Sequence, residues 1–215
     1  MSEFTAGVLF LKPNLKDVEQ RMQGFPLRLT VRALNDKWGA LFVDGDNYEY
    51  PPVKPKLQEL SWQIPLLFFQ DPEDHGWGYS VYSGGVEIAS LWVSYDLTWN
   101  LTLDLAKQRY PEVKDYYVQE FWDRWAVLKS EILASSEYHN LAVQQYAKQN
   151  LQALQVFGLD AKAIKTLAEA TSPDTYFDHE TLHMQSQIFK EVLGINEMSW
   201  MSYYYLQKRD DSDAE

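Results

Sequence analysis

The 215-residue chain has no cysteine, which removes disulfides, thiolate metal ligands and a cysteine nucleophile together. Glycine and proline are sparse, 10 and 9 residues, too few for a linker-rich or disordered chain. Cations are scarce as well: 19 Lys and Arg face 31 Asp and Glu, a net charge of −12. Nucleic-acid binding needs clustered cations to neutralise phosphates, so neither nucleic acid nor an anionic membrane is an expected partner. No apolar run approaches the roughly 20 residues of a membrane span. Met1 to Lys12 carries no basic leader ahead of its short apolar stretch. The expectation is a cytoplasmic protein, and composition leaves its oligomeric state open.

What is present divides in two. Residues 1–97 read as a strand-rich half. Gly7 to Leu11 is a short apolar run, and Asn14 stands before a brief helix carrying Leu15, Val18 and Met22. Leu27, Leu29, Val31 and Ala33 alternate with polar residues, the pattern of a strand with one wet face. Trp38 to Val43 reads as a second strand, and Pro51, Pro52 and Pro55 then break regularity. Ile64 to Phe69 is apolar throughout and suits a central strand. Trp77 to Tyr82 and Val86 to Tyr95, joined by Ser83-Gly84-Gly85, form the strongest hairpin signal.

Residues 98–206 change to a helical period. A helix over Thr102 to Tyr110 precedes one beginning at Pro111, whose stripe is Val113, Tyr117, Phe121, Trp125, Leu128 and Ile132. Tyr138 to Phe157 repeats the pattern and Gly158 stops it; Asp160 caps a further short helix. Ser172-Pro173-Asp174 starts a helix that ends at Gly194. Met198 to Leu206 reads as a closing strand, and 207–215 as a frayed acidic tail. The expected fold class is α+β, one cooperative domain in which an antiparallel or mixed N-terminal sheet packs against C-terminal helices.

His179-Glu180-Thr181-Leu182-His183 fits H-E-x-x-H, in which two His one turn apart chelate zinc and the Glu activates water. These five residues resemble the active-site helix of the zincin metallopeptidases. The resemblance implies His179 and His183 as zinc ligands and Glu180 as the general base of a zinc-dependent hydrolase. The longer signatures stop there: Ser186 stands three residues after His183, and a third ligand would have to be Glu191 or Glu197. A helical wheel puts Phe177, Met184, Ile188 and Val192 toward the core, with His179, His183, Ser186, Gln187 and Lys190 on the solvated side.

The loop Asp71, Glu73, Asp74, His75 and Trp77 offers carboxylates, an imidazole and an aromatic for pairing with a basic partner. Its alternative use is a hard cation. Asp44 to Glu49 lacks the glycine and glutamate positions of a calcium loop, and Leu151 to Ala170 has the outline of a helix-turn-helix without its cations. No G-x-S-x-G, Walker or G-x-G-x-x-G pattern is present.

Aromatics are abundant: eight Trp, fourteen Tyr and ten Phe. They gather in two stripes, Tyr116, Tyr117, Phe121, Trp122 and Trp125, and again Trp200, Tyr203, Tyr204 and Tyr205. Partner-binding surfaces collect such side chains. The reading is a non-catalytic, acidic protein-binding module of inhibitor, immunity or regulatory type without a cofactor. It would bind through the Asp71–Trp77 loop and the terminal aromatics; zinc hydrolysis is the alternative.

Overall fold

The computed structural model describes residues 4–46 and 48–212, the last four without their side chains. The fold is α+β, built on a six-stranded sheet: β1 (Thr5–Leu11), β2 (Leu29–Ala33), β3 (Trp38–Val43), β4 (Leu66–Asp71), β5 (Gly76–Ser83) and β6 (Val86–Ser94). The spatial order is β2-β3-β1-β4-β5-β6, and every neighbouring pair is antiparallel. β1 and β4 lie in the middle, which is why both are apolar at nearly every position. Alternate residues feed two cores: Val8, Phe10, Leu66 and Phe68 face one side, and Leu9, Leu67 and Phe69 the other. The β5–β6 turn uses Gly84 and Gly85 at φ of 62° and 81°, the left-handed pair a two-residue hairpin requires.

The first core is closed by two short helices, α1 (Leu15–Arg21) and α2 (Val53–Ser61). α2 forms where the prolines were expected to break regularity. Pro52 precedes it and Pro55 falls in its first turn, where a helix has no use for the missing N–H. Val53, Leu57 and Leu60 then bury one face.

The second core is closed by α3 (Leu97–Arg109), α4 (Trp122–Leu133), α5 (Ser136–Gln144), α6 (Ala161–Ala170), α7 (His179–Leu193) and α8 (Tyr203–Ser212). All six contribute side chains to this core, α4 through Ile132 near its end, and among the described residues no helix is long and apolar enough to cross a membrane. Asp160 caps α6 through the N–H of Ala163, and Gly194 ends α7 at φ 69°.

Three sequence expectations are corrected here. The helix expected from Pro111 begins only near Gln119, because the Asp115 carboxylate accepts the N–H of Tyr117 at 2.8 Å and holds a local turn instead. The helix expected over Tyr138 to Phe157 breaks after Gln144. The segment beyond it binds the outer edge of β6: Ser90 N–H to Lys148 O at 3.1 Å, and Ser94 N–H to Gln145 Oε1 at 2.6 Å. An unpaired sheet edge is thereby covered.

The closing strand expected over Met198 to Leu206 is not formed; its second half is α8. The Asp46 carboxylate, 157 residues away, accepts the N–H of Tyr203 at 3.2 Å and supplies a helix cap from outside the segment. That tertiary cap, with burial of Tyr203 and Leu206 one turn apart, overrides the strand preference of three consecutive tyrosines. Most of the expected frayed tail is likewise α8, and 213–215 lie outside the described residues.

Candidate functional site

A groove of about 680 Å³ lies between α3, α4 and the start of α7. Tyr95 and Leu182 line its base. Trp99 and Thr102 come from α3, Trp122, Trp125, Lys129 and Leu133 from α4, and Phe177, His179 and His183 from the region of α7. At one end it opens into a smaller hollow of about 340 Å³ lined by Trp99, Tyr116, Tyr117, Trp122 and Trp125. The turn held by Asp115 creates this aromatic box. It swings Tyr117 over Trp99, ring centroids 5.7 Å apart and nearly parallel at 12°, and Trp99 meets Trp125 at 4.3 Å. Trp122 and Tyr117 remain 60% and 57% exposed.

The H-E-x-x-H residues stand on the groove wall. His179 and His183 have ring centroids 4.5 Å apart, and His183 packs on Tyr95 at 4.3 Å. Burial, helped by the neighbouring His179, holds the His183 imidazole below its usual pKa. Burial also pushes the Tyr95 phenol upward. Glu180 is exposed in the first turn of α7, whose start is capped by Asp178. Among the described residues no group of three His, Cys, Asp or Glu is arranged to hold a metal ion. The two imidazoles are close enough to share an ion, but a third protein ligand does not join them.

The face that α7 turns inward differs in part from the wheel's assignment: His179, His183 and Gln187 stay exposed and Val192 packs on the core as expected, but Ser186 and Lys190 turn inward. Leu182, Gln185, Ser186, Phe189, Lys190 and Leu193 are buried, whereas Met184 and Phe177 are exposed. Gln185 and Lys190 can take the inner face because both find partners. The Gln185 amide donates to Thr175 at 2.8 Å and to the Tyr146 hydroxyl at 3.1 Å, and it accepts from the Trp77 indole N–H at 3.3 Å. Lys190 Nζ lies 3.3 Å from Asp71 and 3.3 Å from Ser199. The cation expected beside the histidines in solvent is therefore an interior ion pair.

The expected recognition loop divides in the same way. Asp71 ends β4 and is buried with Lys190; Trp77 lies in β5 and is wholly buried, packed on Phe189 at 5.3 Å. Trp77 is closed off from the surface, and Asp71, paired with Lys190, only lines a cleft, which corrects their assignment to an exposed recognition loop. Glu73, Asp74 and His75 are exposed, and His75 Nδ1 meets Asp96 Oδ2 at 2.8 Å. Glu73 shares a cleft of about 300 Å³ with Tyr95, His183 and Lys190, so His183 and Tyr95 line both this cleft and the groove. The loop and the H-E-x-x-H helix, read separately in the sequence, meet on one face.

Of the terminal aromatics, Tyr203 is buried beneath α8, which corrects its assignment to the surface. Trp200, Tyr204 and Tyr205 cluster at 5.5 and 5.6 Å, with Lys208 Nζ 4.5 Å from the Tyr204 ring. They lie apart from the groove lining. Trp99, which completes the box, carries no sequence signal beyond being an aromatic in a helix. Tyr116, Tyr117, Trp122 and Trp125 are signalled by their stripe. Comparison with known proteins finds no matching family model, no matching curated protein and no matching solved structure.

Proposed function

We propose that this chain is a non-catalytic binding module of the inhibitor, immunity or regulatory kind, acting in the cytoplasm on a basic protein through the groove between α3, α4 and α7. The observation that carries this reading is the aromatic box, where large amphipathic rings stay in water although a core was within reach. Solvent-facing tryptophans of this kind are the usual energetic centres of protein interfaces. The net charge of −12 favours a cationic partner and speeds its approach. The exposed carboxylates of Glu73 and Asp74, on the loop beside Tyr95 and His183, extend the face with the same sign. The rival reading, a zinc hydrolase using His179, His183 and Glu180, is weakened by the donor set described above.

The test is site-directed photocross-linking in native lysate. A benzophenone side chain at Leu133, in the groove, should trap one protein whose linked segment is rich in Arg and Lys. The same group at Trp62, on the α2 side of the sheet, should not trap it. Equal trapping at both positions, or none at Leu133, overturns the proposal.

A further inference from the structure

Resting on the binding-module reading, we infer that the box formed by Trp99, Tyr116, Tyr117, Trp122 and Trp125 is a receptor for an arginine side chain of the partner. The faces of these rings carry negative quadrupole potential, so the box attracts a cation. Among the described residues no carboxylate lines it. A primary ammonium would lose its tight hydration shell there with nothing to replace it. A guanidinium is planar, weakly hydrated and stacks on indole, and it loses less. The hollow of about 340 Å³ leaves room for the group against the exposed face of Trp122.

The same helix already makes this contact internally. The Arg124 guanidinium lies 5.0 Å from the Tyr110 ring and 5.9 Å from Phe121, immediately behind the box. Acidic side chains flank the box in sequence without entering it: Asp115, Glu120 and Asp123 are all exposed. They add a long-range pull on a cation, whereas Arg124, behind the box, and Lys129, in the adjoining groove, oppose it.

Titration of the full chain with the peptide acetyl-Gly-Arg-Gly-amide, followed by tryptophan fluorescence, tests the inference. The peptide should bind saturably at millimolar concentration, and its citrulline counterpart, the neutral isostere, about five- to thirtyfold more weakly. Trp122→Leu should weaken arginine binding by a similar factor and Trp122→Phe by less, while Lys129→Gln should strengthen it about twofold. Because Trp122 is largely exposed, its variants should keep the wild-type melting curve. Equal binding of the two peptides, or no saturable signal from either, overturns the arginine assignment and leaves the groove reading to the cross-linking result. Arginine binding without a cross-link at Leu133 supports the box and overturns the partner reading.

Discussion

Lys190 and Asp71 show how a single residue can mislead a helical wheel. A lysine on a polar stripe reads as solvated, yet its ammonium is enclosed against a carboxylate from the end of β4, with both side chains less than one-tenth exposed. Such a pair stabilises little on balance, because desolvation offsets most of the attraction, but it is costly to break from one side. Lys190→Met should lower unfolding stability by about 3–5 kcal/mol in urea titration, and adding Asp71→Leu should recover much of that loss. Trp77 teaches the converse. Beside an acidic, glycine-bearing loop it resembles a recognition side chain. One residue into a strand, it is a core side chain whose indole N–H is satisfied by Gln185.

At the scale of elements, most of what depends on local pattern was legible. Strands β1 to β6, the Gly84-Gly85 turn and the Asp160 and Gly194 caps all follow from alternation and backbone preference. Most of what failed depended on distant partners; the exceptions are the Asp115 turn, hidden by the apolar stripe, and α2, hidden by its own prolines. α5 stops because β6 needs its edge covered, and α8 replaces a strand because Asp46 caps it from across the chain. The candidate site was half legible for the same reason: the aromatic stripe near Trp122 was visible, but its closure by Trp99 and its junction with α7 are tertiary. α7 itself yields a prediction. Two imidazoles one turn apart make at most a two-ligand site, far weaker than a closed three- or four-ligand one. Protein purified without chelator should therefore carry well under one zinc per chain by elemental analysis. Stoichiometric zinc that disappears in His183→Ala would restore the hydrolase reading.

Across the whole molecule, Asp46 ties the exit of β3 to α8, and so joins the early sheet to the last helix. Its carboxyl is pushed up to about 6, chiefly by burial, with Asp44 adding to the rise and the hydrogen bond from the Tyr203 N–H opposing it. A carboxyl whose folded value lies above its unfolded one favours the folded state only while protonated. That contribution is complete below the ordinary carboxylate value and is lost as pH rises through about 6. Asp46→Asn keeps an oxygen to accept from Tyr203 and removes the charge. Because water still reaches part of this group and screens it, the gain expected at pH 7 to 8 is modest, about 2–4 °C in Tm by calorimetry. Below about pH 4 the two melting curves should coincide.

Part of α4 rests on a small apolar island, Ala106, Phe121 and Leu128 with Leu105, Tyr110 and Trp125 around it, which meets the larger interior through Leu105, while Ile132 ties the end of the helix to that interior. Local opening of a flank that rests largely on so small an island would leave the strands intact. A guest pressed against Trp122 and Trp125 would then spend part of its affinity on steadying that flank. Selectivity for the guest and rigidity of that flank are then two aspects of one equilibrium.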